Sequence, residues 1–133
     1  MNQTPRRKTS ERSDGHQIEL FIADELRKRG FVVLEQNYRM GFLEVDLIAL
    51  EGEVLCFIEV KARNRPFVLS ELDLLIPSTK RQNMIEIADS YCKNLKGLRY
   101  SNVRYDYALV YVPDSIKPKQ VQYIRNAFVP TVG

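Results

Sequence analysis

Four charged residues in two neighbouring β-rich segments have the types and spacing of a catalytic site. Glu44 and Asp46 lie two positions apart in GFLEVDLIAL, and Glu59 and Lys61 lie two positions apart in VLCFIEVKA. Residues i and i+2 of a strand point to the same side of a sheet, so each pair shares one face of its strand. Glu59 interrupts an apolar run that otherwise indicates a buried strand, and its presence there needs a reason.

The two segments are separated by Glu51-Gly52-Glu53, a turn signal that predicts a β-hairpin. A turn of two or four residues centred on Glu51-Gly52 places Glu59 opposite Glu44, and Phe57 opposite Asp46, with all the acids on one side. A turn with an odd number of residues would separate the two acidic sets unless a bulge restored the parity. The other side is then the core, with Val45, Leu47, Ala49, Val54, Cys56, Ile58 and Val60.

Crowded carboxylates on this patch repel one another and must take up protons or find cations. One lysine cannot balance three acids, whereas a divalent ion can, and oxygen ligands favour Mg²⁺ or Mn²⁺. We therefore expect Asp46 and Glu59 to hold a metal ion, with Lys61 beside the group that the metal binds.

A fourth acid comes from the first predicted helix, which runs from about residue 15 to 28 or 29. Glu19 lies on the same helical stripe as Ile22, Ala23 and Leu26, so it faces inward with them. If this helix packs across the sheet, Glu19 reaches the acidic patch and adds a ligand.

Each of these residues also has an ordinary explanation. Asp46 and Glu59 could be solvated on the open face of an antiparallel hairpin. Lys61 could be an ion-pair partner of Glu44 or Glu59, and Glu19 could lean into water at the end of its stripe. The combination of these residues favours a site over separate solvated side chains.

The rest of the chain predicts one α/β domain. The 133 residues suit a single domain over 15–133, preceded by a flexible basic tail over 1–14. Further elements are strands at 31–39 and 103–112, a helix at about 79–94, a strand or short helix at 119–128, and a loop or mobile flap at 64–78.

Composition narrows the class of protein. The net charge of +3 and the pI of about 8.9 are compatible with a nucleic-acid partner without requiring one. Cys56 and Cys92 lack zinc-ligand spacing, and the single histidine, His16, excludes chemistry built on several histidines. Without a membrane-length apolar segment or a secretory signal, we expect a reduced, cytoplasmic protein with no membrane contact.

The ordered motifs resemble those of a known family. An Asp followed in the next strand by Glu-Val-Lys resembles the active-site motif of PD-(D/E)XK nucleases. Nearly the whole chain resembles the bacterial YraN family (UPF0102), which is similar to archaeal Holliday-junction resolvases. The sequence departs from that family at Leu43, where Gly is usual, and in the unusually apolar segment FVLSELDLLIPS. The matching motifs are Gly15 with Glu19 and Ala23, Asn37-Tyr38-Arg39, residues 44–49 and 57–63, Lys80, Arg104-Tyr105-Asp106 and residues 124–128.

The resemblance implies a restriction-endonuclease-like fold, in which a mixed β-sheet is flanked by α-helices. It implies a metal-dependent DNA endonuclease, with branched DNA as a candidate substrate in recombination or repair. The implied catalytic residues are Glu19, Asp46, Glu59 and Lys61. The implied metal ligands are Asp46, Glu59, Glu19 and the backbone carbonyl of Val60.

The expected partner is DNA, contacted through its phosphates by Arg63, Arg65 and Lys80. Lys61 is expected to orient the attacking water or to stabilise charge on the phosphoryl oxygens. Two other classes stay open: a catalytically silent nuclease fold that binds DNA within a recombination or repair machine, and an interaction protein with a solvated acidic face. A homodimer is compatible with the sequence, which also leaves the number of metal ions open.

Overall fold

The computed structural model describes residues 4–113 and 120–130. The predicted strands are present, the last predicted element is a strand, and the second long helix begins one residue earlier than expected. Across the described residues, no helix is both long and apolar enough to span a bilayer. In chain order the elements are α1 (Thr4–Lys28), β1 (Val32–Met40), β2 (Leu43–Glu51), β3 (Val54–Arg63), a 3₁₀ turn (Leu69–Glu71), α2 (Leu72–Leu75), α3 (Ser78–Asn94), β4 (Asn102–Tyr111) and β5 (Gln120–Ile124).

The five strands form one mixed sheet in the order β1-β2-β3-β4-β5. Neighbouring strands are antiparallel except for β3 and β4, which are parallel along their whole length. A parallel pair needs a crossover connection, and the segment containing α2 and α3 supplies it. The chain therefore has the predicted α/β architecture of a mixed sheet with flanking helices, consistent with a restriction-endonuclease-like fold.

Helices cover both faces of the sheet, as predicted, so the hairpin has no open face on which Asp46 and Glu59 could simply be solvated. Strands buried on both faces are apolar almost continuously, which explains runs such as Leu47–Leu50 and Leu55–Ile58. The α1 face buries Ile22, Ala23, Leu26, Phe31, Leu47, Ala49, Cys56, Ile58, Ala108, Val110 and Val112. The α3 face buries Val45, Ile48, Leu50, Leu55, Phe57, Met84, Ile87, Ala88, Tyr91 and Tyr105.

The first helix begins at Thr4, not near Gly15 as predicted. Asp14 can cap a helix, but the residues before it also tolerate helical backbone. Pro5 stands in the first turn, where its missing N–H leaves no hydrogen bond unmade. The division of the chain into a tail over 1–14 and a domain over 15–133 stays a prediction.

The segment before α3 is more ordered than the predicted loop over 64–78. It contains the 3₁₀ turn and the short helix α2, because its leucines pack against the sheet. Leu72 and Leu75 are three positions apart, on one side of a helical turn. They contact a small cluster formed by buried Ile76 with Tyr107 and Leu109 of β4. This packing fixes the start of α3 against the sheet.

Candidate active site

The hairpin of β2 and β3 forms as predicted, but its register differs by two residues. Gly52 and Glu53 make the turn, and Glu51 pairs with Val54. Gly52 has a φ of 62°, which a tight hairpin turn requires and glycine adopts without strain. Phe57 consequently pairs with Ile48 and not with Asp46.

The two strands diverge at the predicted site. Their ladder ends at Leu47 and Ile58, although both strands continue beyond it. Past this point, Asp46 Oδ2 accepts a hydrogen bond of 2.8 Å from the backbone N–H of Val60. The carboxylate thereby satisfies a backbone donor that a neighbouring strand would satisfy elsewhere in the sheet.

The side-chain alternation of β2 is also interrupted at this point. Val45 packs on the α3 face, whereas Leu47, two positions later, packs on the α1 face. The prediction that Val45 and Leu47 share a side is therefore wrong. Successive residues of a regular strand alternate between the two faces of a sheet. In β2 this alternation is interrupted at Asp46, where the strand separates from β3 while it stays paired with β1.

A cavity of about 350 Å³ lies at this divergence. Glu19 reaches it from α1 on one side of the sheet, and Lys80 reaches it from α3. The structure thus brings together Glu19, Asp46 and Glu59, three of the four predicted catalytic residues. The complete lining is Gly15, Ile18, Glu19, Glu44, Asp46, Glu59, Val60, Ala62 and Lys80.

Glu59 is the most perturbed acid of the cavity. Its side chain is only 14% exposed. Burial raises its pKa to about 8, the neighbouring Asp46 contributes in the same direction, and Lys80 partly opposes both. Its Oε1 atom is buried without a hydrogen-bond donor. A protonated Glu59 can donate to Asp46, whereas an ionised one leaves that oxygen unsatisfied.

Glu19 is a second acid of the cavity with a raised pKa and an unpartnered oxygen. Burial raises its pKa, the charge of Asp46 raises it further, and a hydrogen bond from the Asn37 side chain opposes the shift. Its Oε2 atom is buried and has no partner among the described residues. The predicted inward position of Glu19 is confirmed by its place in the cavity wall.

The cation in this cavity is Lys80, which the sequence placed among the DNA contacts. Its ammonium donates to the backbone carbonyl of Glu44 at 2.6 Å and lies 3.5 Å from Glu59 Oε2. The Lys80 side chain is 25% exposed. The Glu44 carboxylate is engaged elsewhere, 2.9 Å from the Arg39 guanidinium at the rim.

The other predicted basic residues lie outside the cavity. Lys61 is exposed, and within the part of the chain that the structure describes its side chain forms no ion pair or hydrogen bond. Arg63 donates to the carbonyl of Pro66 at 2.8 Å and stacks 4.2 Å above the Phe67 ring, so it supports the loop after β3. Arg65 is exposed and accessible to a ligand.

The donor chemistry of the cavity fits a hard divalent cation. Two buried carboxylate oxygens, from Glu19 and Glu59, lack partners among the described residues, and the charge of Asp46 raises the pKa of both acids. Oxygen ligands of this type suit Mg²⁺ or Mn²⁺. Within residues 4–113 and 120–130, however, no three such side chains are already gathered at metal-binding positions.

The fold and the cavity define an α/β domain whose acidic cavity lies between diverging strands. The chain belongs to the UPF0102 family: the model described as "Uncharacterised protein family UPF0102" matches residues 18–110. The UPF0102 protein of Dictyoglomus turgidum is 38% identical over 113 residues, covering 81% of this chain and 90% of the relative. That of Alkaliphilus metalliredigens is 33% identical over 117 residues, covering 88% and 98%. Apart from Gly15, every residue of the cavity wall lies within the matched range.

Proposed function

We propose that this protein is a metal-dependent endonuclease that hydrolyses DNA phosphodiesters, with branched DNA as the candidate substrate. The observation that carries the proposal is the meeting of Glu19, Asp46 and Glu59 in one cavity, with two buried oxygens unpartnered. Buried unsatisfied acceptors and crowded charges cost free energy. A divalent cation bound by these oxygens offsets both costs.

The cation would be held by Asp46, Glu59 and Glu19, with the carbonyl of Val60 as a further ligand. When bound, it would supply Lewis-acid activation of water and stabilise the charge that develops on the phosphoryl group. In the hydrolysis, the water oxygen bonds to phosphorus while the ester bond to the leaving oxygen breaks. One water proton goes to the leaving oxygen, and the other stays with the new phosphate or passes to solvent.

The chain orients its acids before any ligand arrives. The Val60 N–H fixes one oxygen of Asp46, and Lys80 holds one oxygen of Glu59 from the α3 side. Asn37, on β1, favours the charged form of Glu19. Asp46 and Glu59 therefore each keep a second oxygen available for the cavity, and the buried Oε2 of Glu19 has no partner among the described residues, which limits the reorganisation that binding requires.

A second candidate function is a catalytically silent DNA-binding partner in recombination or repair. The ion pair between Lys80 and Glu59 favours it, because that pair balances one carboxylate without a metal. The two candidates differ in whether the isolated protein breaks phosphodiester bonds.

Cleavage of a panel of DNA forms separates these functions. The panel contains single strands, linear duplex, forked duplex and a four-way junction, each with Mg²⁺, Mn²⁺ or a chelator. We expect metal-dependent cleavage of at least one form, and a loss of roughly a hundredfold or more in Asp46→Asn.

Asp24→Asn is the matched control, because Asp24 pairs with Arg27 on the exposed side of α1, away from the cavity. It should cleave like the wild type. Absence of cleavage for every DNA form and metal, with DNA binding retained, would reject the endonuclease and favour the silent binding partner.

A further inference from the structure

The lysine that stands among the cavity acids does not come from the strand motif. Lys80 belongs to the first turn of α3, on the far side of the crossover from β3. Its ammonium is 2.6 Å from the Glu44 carbonyl oxygen and 3.5 Å from Glu59 Oε2. Two elements that are distant in sequence therefore place one positive charge against Glu59, the most perturbed acid of the cavity.

Lys61 has the sequence position but not the surroundings of an active-site lysine. It follows Glu59 by two positions on β3, so both start on the same face of the sheet. Its side chain nevertheless lies exposed, outside the residues that line the cavity. Its neighbour in the parallel register, Leu109, packs under the segment that precedes α3.

The contact with Glu44 holds the Lys80 charge in place without cancelling it. The Glu44 carbonyl is a neutral acceptor, so this hydrogen bond positions the ammonium and leaves its charge intact. An ammonium has three donors, and Glu44 and Glu59 use at most two of them. At least one donor stays free for a further oxygen in the cavity.

We propose that Lys80, and not Lys61, is the catalytic lysine of this site, contacting a non-bridging oxygen of the phosphate to be cleaved. Its ammonium is also the resident counter-charge of Glu59, so it opposes the approach of a divalent cation to that carboxylate. The first part of this assignment rests on the proposed function. The second part does not, since it concerns only the chain and a metal ion.

The test compares Lys80→Met with Lys61→Met in two measurements on the full-length protein. In cleavage of a four-way junction with Mn²⁺, Lys80→Met should lose roughly a hundredfold in rate, typical of removing one charge-stabilising group. Lys61→Met should keep nearly the wild-type rate. In calorimetric titration with Mn²⁺ and no DNA, Lys80→Met should bind about tenfold more tightly because a nearby positive charge is gone, and Lys61→Met should bind like the wild type.

Lys80→Gln guards against a folding defect, because its amide can still donate to the Glu44 carbonyl while the charge is absent. It should reproduce both effects of Lys80→Met. A large cleavage loss in Lys61→Met with little loss in the Lys80 variants would overturn the assignment.

If the wild type cleaves no DNA, the proposed function fails and the catalytic role of Lys80 fails with it. The titration then still decides the second part of the assignment. Tighter Mn²⁺ binding in both Lys80 variants alone supports Lys80 as the counter-charge of Glu59. Unchanged or weaker binding in those variants rejects it.

Discussion

Asp46 Oδ2 accepts a hydrogen bond from the backbone N–H of Val60 at 2.8 Å, at the point where β2 and β3 separate. Through this contact Asp46 bridges the two separating strands, and both residues form part of the cavity wall. The contact holds the Asp46 charge beside Glu59, where burial and that charge together raise the pKa of Glu59. Protonation, Lys80 and a divalent cation are three ways to relieve the same crowding.

The first prediction concerns pH in the metal-free protein. The pKa of Glu59 is raised from 4.5 to about 8, so the folded chain keeps a proton that the unfolded chain has released. The free energy of unfolding should therefore fall as pH rises from about 4.5 to 8, by on the order of a few kcal/mol in total. Urea unfolding with a chelator present, at several pH values in this window, measures the change.

Glu59→Gln is the control, because glutamine has nearly the same shape and cannot ionise. Its stability should depend less on pH over the same window, with a residual slope from Glu19, whose pKa is also raised. A wild-type stability that is constant or rises over this window would show that Glu59 ionises normally.

The second prediction concerns metal binding. Mn²⁺ or Mg²⁺ should stabilise the folded protein by mass action and so raise its melting temperature. At a metal concentration of about 100 times Kd, the free energy of unfolding should increase by about 2.7 kcal/mol. Asp46→Asn should remove most of the shift, because it takes one charge from the cavity centre. Asp24→Asn, the surface control, should keep it. Equal shifts in both variants would place the metal elsewhere.

The hairpin could be predicted from sequence, but its register could not. If the turn has an even number of residues, the alternation of side chains in GFLEVDLIAL and VLCFIEVKA places the acids on one face of the hairpin. Glu51-Gly52-Glu53 offers two positions for a two-residue turn, and nothing local distinguishes them. The break in alternation at Asp46 could not be predicted either, because it coincides with the separation of β2 from β3, which the local sequence does not indicate.

The two lysines show the same limit more clearly. Lys61 is adjacent to Glu59 in sequence, so local reasoning places it in the site. Lys80 arrives there only because Ile76 anchors the start of α3 against β4. Such an arrangement depends on packing between distant segments, which no local period encodes. The resemblance to the YraN family included Lys80 as a motif residue without giving its position in the cavity.

The third prediction concerns the buried Asp106 of β4, which is fully inaccessible to solvent. It accepts hydrogen bonds from Arg104 at 2.9 Å, from the Tyr123 hydroxyl at 2.5 Å and from the backbone N–H of Asn126 at 2.9 Å. Asp106→Ala leaves the Arg104 charge without this partner, so we expect a loss of about 3–5 kcal/mol in unfolding free energy.

Glu53→Ala provides a comparison with an exposed ion pair. Glu53 lies 3.7 Å from Arg99, and both side chains are largely exposed. Exposed pairs contribute little to stability, so this variant should unfold like the wild type in denaturant. Similar losses in the two variants would contradict the distinction between the buried network and the surface pair.

The fourth prediction concerns DNA binding. The logarithm of the affinity should fall steeply with the logarithm of the salt concentration, as expected for contacts to phosphates. Arg65→Gln should weaken binding modestly and reduce the slope by about one, because exposed Arg65 follows the site strand. Arg99→Gln, close to the β2–β3 turn at the other end of β3, should have no effect. An affinity independent of salt would favour a partner other than DNA.

Anomalous diffraction from crystals grown with Mn²⁺ shows whether the carboxylates between β2 and β3 bind the divalent cation used for phosphodiester hydrolysis, because it locates the ion without relying on activity. We expect an anomalous peak in the cavity, within ligand distance of Asp46 and Glu59. At saturating Mn²⁺, an empty cavity or a peak confined to other surfaces would show that these carboxylates are not the metal site.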